Sequence, residues 1–328
     1  EDYLKLEKTK NLTIRRYWWF GQKLFDKTTP FPLLQFIYII PGLLISSFIF
    51  IQKNKKNIDV IHAHGFAAAF ITRVCCLFNK NIKLVVSTHY LYPNLDISKI
   101  STKLLKWTFT GFNTILTVSS QSSLQLEKLG INKQKIKQYH HWLDPKIYKP
   151  SSFKTKSKYS LKLLFVGRII TMKGVFNLLS VAKSLPNIMF TIIGDGPDYI
   201  TLKKESINQK NFLLLGKKNP QEIIKYYQQN YFTILPSLAP EAQPMTVMES
   251  LMCGTPVITT NKGSVTNMYT SDVGISINPT NEILYKTLYS LSKASDNITK
   301  LKSNCRSFAL KNFGTQNANI ITKSYNHD

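Results

Sequence analysis

The sequence predicts a two-domain α/β protein in which each domain carries a parallel sheet. Three observations point there. The 328 residues are 43% hydrophobic, enough for two cores. Short apolar runs alternate with longer amphipathic ones, the pattern of strands covered by helices on both faces. A polar, lysine-rich stretch, "KIYKPSSFKTKSKYS" (146–160), splits the alternation into two blocks and reads as a linker.

In the first block "DVIHAH" (59–64), "IKLVVSTH" (82–89) and "TILTVS" (114–119) read as strands. Between them "AAAFITRVCCLF" and "SKISTKLLKWTFTGF" read as helices, and "SSQSSLQLEKLG" as a capped helix ending at Gly130. The second block offers strands at "LKLLFVG" (161–167), "IMFTIIG" (188–194), "NFLLLG" (211–216), "YFTILPS" (231–237) and "TPVITT" (255–260). No internal repeat is visible.

Ahead of the first strand lies "FPLLQFIYIIPGLLISSFIFI" (31–51), which carries no charge and is long enough to span a bilayer. Pro41 and Gly42 in its middle are both helix breakers. A helix packed in a domain, an interfacial segment and a true span all stay open. The preceding "RRYWWFGQK" mixes Arg15, Arg16 and Lys23 with Tyr17, Trp18, Trp19 and Phe20. Such a mixture suits a headgroup zone, or a core edge with snorkelling cations. No signal-peptide pattern opens the sequence.

The formal charge of +25 is spread over both halves. It favours anionic partners: nucleic acid, phosphorylated ligands or an acidic bilayer face. An AT-rich coding sequence, which raises Lys, Asn and Ile together, is the competing account. No zinc-finger, RNP or KH pattern appears, so nucleic acid is not expected as a partner. Four cysteines, two of them the adjacent Cys75 and Cys76, make neither a disulfide framework nor a CxxC pair. They fit a reducing compartment.

In open α/β sheets ligands sit beyond the carboxyl ends of the strands. After the first strand of the second block comes "VGRIITMKG". Gly167 permits a tight turn there. Arg168 and Lys173 then stand near a helix start, where cations and the helix dipole suit a pyrophosphate. In "IIGDGP" (192–197), Asp195 either bonds a ligand or caps the next helix. No GxGxxG appears, which disfavours NAD.

The most informative stretch is "APEAQPMTVMESLMCGTPVI" (239–258). Pro244 fits the first helical position, and the helix runs from Met245 to about Cys253 and stops at Gly254. Glu241 then precedes the helix and Glu249 lies inside it. The N–H groups of Met245 and Thr246 point toward an anion. A carboxylate in such a place makes sense as an acceptor for hydroxyls of the same ligand. That chemistry predicts a nucleotide-diphosphate-sugar. The bland reading leaves both glutamates solvated at the helix end.

This stretch resembles the E-x7-E signature of retaining GT-B glycosyltransferases of family 4: both Glu, the Gly and Pro-Val-Ile match. "VGRIITMKG" resembles that family's G-R-x4-K-G, and "STHYLYP" its T-x-H-D segment. The resemblance runs from about residue 59 to the end. It implies a GT-B fold, two Rossmann-like domains facing across a cleft. The expected division is an acceptor-side domain over 1–150, a donor-binding domain over 151–305 and a C-terminal helix over 306–328 returning toward the first. It also implies roles. Glu249 would bind ribose hydroxyls, and Glu241 would contact the donor sugar near the reacting centre. Arg168 and Lys173 would neutralise the diphosphate. His89 would approach the donor sugar across the cleft, and His62 and His64 could face the acceptor.

There are departures. Gln243 and Pro244 replace small residues beside the donor sugar, Tyr90 replaces an aspartate, and "HWLD" and "GSVTN" differ from the usual forms. Residues 1–58 show no strand followed by a glycine-rich loop, so the chain is expected to lack roughly a first βαβ unit. The reading is a metal-independent retaining transferase with no cofactor beyond its nucleotide-sugar substrate, since no D-x-D motif appears. Domain closure about the linker would assemble the site. The acceptor would be a glycan or a lipid-linked hydroxyl, and the location cytoplasmic, peripheral on the inner membrane face. A UDP-sugar epimerase and a non-catalytic nucleotide-sugar-binding protein are the alternatives.

Overall fold

The computed structural model describes residues 6–17, 32–79, 81–89, 91, 99–151, 158–293 and 295–326, with the side chains of 32–39 and 295–297 outside that description. Trp18, Trp19, Phe20, Lys23, Phe31, Tyr90 and the middle of the linker, 152–157, therefore lie outside the described residues.

The chain opens with an antiparallel hairpin, β1 (Leu6–Lys8) and β2 (Thr13–Arg15), then the long helix α1 (Pro32–Asn54). The first α/β unit follows: β3 (Val60–His64), α2 (Gly65–Cys75), β4 (Lys83–Thr88), α3 (Ile100–Thr110), β5 (Thr114–Thr117), α4 (Ser120–Lys128) and β6 (Ile136–Gln138). Its four strands are all parallel, in the order β3-β4-β5-β6. The expected strands at 59–64, 82–89 and 114–119 are present but shorter: the first starts one residue later, the second loses one residue at each end and the third ends two residues earlier. Ser119 caps α4 by accepting from the Ser122 N–H, as its sequence position suggests.

The apolar run differs from expectation. Pro41 and Gly42 lie inside α1 and do not break it. A proline removes one intrahelical donor, and both residues are exposed. Helix α1 buries Ile51 and half-buries Ile40, Leu43, Leu44 and Phe50 against the core under β3 and β4. Its other face leaves Ile45, Phe48 and Ile49 exposed, at 61%, 50% and 48%. The spacing i, i+3, i+4 makes these one stripe. Among the described residues no helix is long and apolar enough to cross a membrane.

The second unit contains β7 (Leu161–Val166), α5 (Val175–Ser184), β8 (Ile188–Ile193), α6 (Tyr199–Ser206), β9 (Phe212–Leu214), α7 (Pro220–Gln229), β10 (Phe232–Leu235), α8 (Met245–Met252), β11 (Val257–Thr260) and β12 (Gly274–Ile277). The parallel order is β12-β11-β10-β7-β8-β9. The order reverses at β7, so the crevice for a ligand opens beyond β7 and β10. Leu161, Leu163, Phe165, Phe190 and Ile192 alternate into one fully buried core with α5. At roughly 1.5–3 kcal/mol for each such side chain taken out of water, this core anchors the loops above it.

Helices α9 (Asn281–Leu291), α10 (Ser295–Phe313) and α11 (Ala318–Tyr325) end the chain. α10 packs on α8 through Cys305, Ala309 and Phe313. α11 then crosses to the first unit, where Ile321 and Tyr325 cover Val85 and Leu116. The two passages between units lie side by side: Leu143 N–H donates to the Phe313 carbonyl at 3.0 Å, and Asn317 Nδ2 donates to the His141 carbonyl at 3.4 Å.

Candidate functional site

Each strand of the second unit hands its chain to a loop at the same edge. Those loops are packed so tightly that side chains are excluded. At Gly194, after β8, an added Cβ would lie 1.8 Å from the Gly167 carbonyl oxygen, and φ is +148°. The Gly167 N–H donates to Ile193, and the Ile169 N–H to Asp195. Between these loops lies an open cleft of about 710 Å³, lined by Gly167, Arg168, Gly194, Asp195, Lys217 and Lys218 among others. Lys217 and Lys218 were not singled out from the sequence, although "GKK" directly after β9 was the available signal. Asp195 does not cap the next helix: its carboxylate accepts from the Gly196 N–H, and Asp198 is the residue before α6.

Beside this cleft the structure brings together Lys173, Glu241, Met245, Thr246 and Glu249. Lys173 closes a short 3₁₀ turn, Thr171–Lys173, after β7. Its Nζ lies 2.5 Å from Glu241 Oε1, and the Ser237 hydroxyl donates to the same oxygen. Glu241 is only 9% exposed. Its backbone is clamped as well, forming a parallel bridge to Gly263, and the Ser264 N–H donates to its carbonyl at 2.7 Å. Gly263 has φ +83°, and a Cβ there would sit 2.4 Å from the Glu241 carbonyl oxygen and 2.6 Å from its nitrogen. Glycine is therefore the residue that lets these two loops touch.

Helix α8 starts at Met245 with Pro244 before it in an extended conformation (ψ 122°), so Pro244 is the cap and not the first helical residue. Met245 is exposed and Thr246 half-buried. Thr246 Oγ1 donates to the Val166 carbonyl at 3.2 Å, tying the helix to the end of β7. The helix N-terminus thus faces the same edge as Arg168 and Lys173. Arg168 is exposed on the cleft wall.

Glu249 lies one turn deeper. Its Oε2 accepts from Tyr227 at 2.7 Å and its Oε1 from Tyr148 at 3.5 Å. Burial raises its pKa, and the two tyrosines oppose the rise. Tyr148 is pushed up to about 12 by burial and by Glu249. Tyr148 belongs to the expected linker, so that segment is partly built into the site, which its polar composition did not reveal.

His89 lies across the cleft, just after β4, with a lowered pKa from burial and from His64. It is one of a column of rings. His62 and His64 stack at 4.4 Å, His64 and His89 at 5.7 Å, and His89 and His141 at 5.2 Å. The column meets the donor-side loop at Gln243, whose Oε1 accepts from the His141 N–H at 3.0 Å and whose Nε2 donates to His140 Nδ1 at 2.6 Å. Sequence reasoning placed His62, His64 and His89 at strand ends but missed His140 and His141. The only signal was their position directly after β6. Ser264 Oγ adds a second bridge between units, donating to Gln121 Oε1 at 2.9 Å. Among the described residues no group of three or more His, Cys, Asp or Glu could hold a metal ion.

Two family models match this chain: "Glycosyl transferases group 1" over residues 149–307 and "Glycosyltransferase Family 4" over residues 22–146. The boundary between them falls at the start of the linker. Among curated proteins, the chain is 27% identical to the phosphatidylinositol N-acetylglucosaminyltransferase gpi3 subunit of Schizosaccharomyces pombe, over 72% of this chain and 54% of that one. It spans about half the length of the curated relatives it matches. Among solved structures, it resembles Anabaena Alr3699/HepE in complex with UDP and glucose. The TM-score is 0.73 at 17% identity, covering 87% of this chain and 83% of that one. A sucrose-phosphate synthase from Thermosynechococcus elongatus gives a TM-score of 0.80 at 15% identity, covering 99% and 85%. These likenesses establish the GT-B architecture: two parallel-sheet units facing one cleft.

Proposed function

Because the chain belongs to the family 4-like glycosyltransferases of the GT-B fold, we propose that it moves a sugar from a nucleotide-diphosphate-sugar to a hydroxyl acceptor, without a metal and with retention at the anomeric carbon. The observation that carries this reading is the Lys173–Glu241 pair set beside the α8 N-terminus and Arg168. In the proposal the cleft over Gly194 and Lys217 takes the base, and Glu249 accepts hydrogen bonds from the ribose hydroxyls. Arg168, Lys173 and the Met245 and Thr246 N–H groups receive the diphosphate. Charge develops on that diphosphate as the sugar leaves, and prearranged cations and N–H groups stabilise it there. Glu241 lies at the sugar end and His89 faces it from the other unit. The acceptor hydroxyl attacks on the face the diphosphate leaves and passes its proton to the departing phosphate oxygen. An inverted product, or a trapped glycosyl-enzyme adduct, would overturn this route.

The test is to incubate the purified chain, and Glu249→Ala, with a panel of UDP-, GDP- and ADP-sugars and to follow nucleotide release. The wild type is expected to release nucleotide from one preferred donor. The variant should bind that nucleotide about 10- to 100-fold more weakly, the worth of hydrogen bonds to a charged group. Neither release nor binding by the wild type would sink the proposal.

We also infer that the chain works at the cytoplasmic face of an anionic membrane. The exposed stripe Ile45, Phe48 and Ile49 supports this, since it is flanked by the exposed Lys53, Lys55 and Lys56. Arg15, from the hairpin, lies 5.3 Å over the ring of Phe50 on the same helix. An apolar stripe with a basic rim suits a headgroup boundary. Vesicles containing anionic lipid should co-sediment the protein at low salt, and Phe48→Asp together with Ile49→Asp should abolish this. Equal binding to neutral vesicles, or none to either, would count against it.

A further inference from the structure

Five of the six histidines in the chain gather at the cleft. His62, His64, His89 and His141 form one continuous column, with His140 at its donor-side end. Three strands supply the column: His62 and His64 come from β3, His89 follows β4, and Tyr139, His140 and His141 follow β6. Tyr325 of α11 holds one end through a 2.6 Å bond to His62 Nδ1, while His62 Nε2 is 2.8 Å from the Ser87 hydroxyl. Gln243 occupies the other end, and beyond it Glu241 is engaged by Lys173. The groups that face the column are therefore histidines, Tyr139 and Tyr325, the Ser87 hydroxyl and the Gln243 amide.

No carboxylate among the described residues offsets it. Every one of the five imidazoles is held below its ordinary pKa by burial, and His62 and His141 reach about 4 as neighbouring histidines add to the effect. Helix α2 begins directly after His64, and His64 makes no side-chain cap there, so the first-turn N–H groups add positive potential at the same place. The outer nitrogens of the column are also unused among the described residues. His64 Nδ1 meets His89 Nε2 at 3.4 Å, which leaves His64 Nε2, His89 Nδ1 and both His141 ring nitrogens without a hydrogen bond. Neutral imidazoles each carry one N–H donor, and a row of them with several unsatisfied nitrogens, beside a helix start and no carboxylate, has places for an anion. A phosphate group, with its several acceptor oxygens, can span adjacent rings of the row.

We propose that the row His64–His89–His141 is the acceptor subsite, and that it recognises a phosphate ester on the acceptor adjacent to the hydroxyl that is glycosylated. This rests on the transferase reading above. Binding an anion there favours the imidazolium forms, so the acceptor takes up protons as it binds. The sign follows: affinity rises as pH falls below neutrality. A neutral acceptor held by uncharged imidazoles would lose affinity over the same range.

The probe is glycerophosphoglycerol, a diester whose own charge is constant over this range, with glycerol as the neutral control. Both are added to the full chain with its donor site saturated by UDP. The ring nitrogens of the wild-type protein are followed by NMR between pH 8 and pH 5. The diester should raise the histidine pKa values, and its affinity should tighten by up to about tenfold per pH unit for each proton taken up. His64→Phe and His141→Phe, which keep the ring stack, should each weaken the diester at least about tenfold and leave UDP binding unchanged. Unmoved histidine titrations at saturating diester, affinity that grows with rising pH, or equal binding of glycerol would each overturn the proposal. Inorganic phosphate and phosphatidylglycerol micelles form two further arms. Binding of either supports the site, and the tighter one identifies the source as free phosphate or a lipid headgroup. If UDP itself fails to bind, the transferase reading fails instead.

Discussion

Lys173→Met is expected to lower turnover by about 100- to 1,000-fold, the range seen when one prearranged electrostatic group is removed from a site where charge develops. Folding should survive, because Lys173 is half-buried in the loop after β7 and the core beneath it is untouched. The substitution also leaves Glu241 with Ser237 as its remaining side-chain partner. Glu241→Gln should therefore be strongly non-additive with Lys173→Met: the double variant should lose little more than the worse single one. Nucleotide affinity and single-turnover transfer, measured separately, check this. Additive losses would mean that the two side chains act on different steps. A Lys173→Met protein with full turnover would remove Lys173 from the reaction.

The second large effect is expected at a residue that carries no chemistry. Gly263→Ala puts a methyl group 2.4 Å from the Glu241 carbonyl oxygen, at a φ of +83°. The left-handed backbone alone costs about 1–2 kcal/mol for a residue with a Cβ. At about 2–4 °C per kcal/mol for a unit of this size, the melting temperature should fall by only a few degrees. Activity should fall further, by about 100-fold, because the loop that must yield is the one holding Glu241, and small misplacements at a reacting centre are costly. A control substitution, Gly42→Ala, meets nothing within 4 Å and lies inside α1, so it should leave turnover unchanged and stabilise the protein by about 0.5–1 kcal/mol. A Gly263→Ala protein with lowered stability and intact turnover would show that the loop has other ways to seat Glu241.

The legible parts of the sequence were those set by local pattern. Leu161–Val166 and Ile188–Ile193 are apolar runs with one polar residue each, Lys162 and Thr191, followed by a glycine, and both are central strands. The helix from Met245 to Met252 was readable from its proline, its glycine and the apolar positions between them. What stayed hidden was tertiary in origin. Strand β6 is three residues, "IKQ", too short to carry a period, and it forms because β5 offers an edge. β12, "GISI", is only one residue longer and completes the far edge on β11. Pro41 looked like a break and is not one, because packing of Ile40 before it and of Leu43, Leu44 and Phe50 after it holds the helix. At the site, the E-x7-E spacing and the basic pair at Arg168 and Lys173 were visible. The tyrosines on Glu249 and the histidine column were not, since they join residues up to 263 positions apart.

The side-by-side passages of chain between the two units have a mechanical consequence. One connection would act as a ball joint, free to swing and twist in any direction. Two neighbouring segments, near His141–Leu143 and Phe313–Asn317 and bonded to each other, act as a pair of door hinges. They leave a single easy degree of freedom, rotation about the line that joins them. Any opening of the cleft about this pair would retrace one arc, and would return His89 and Glu241 to the same register without a search over orientations.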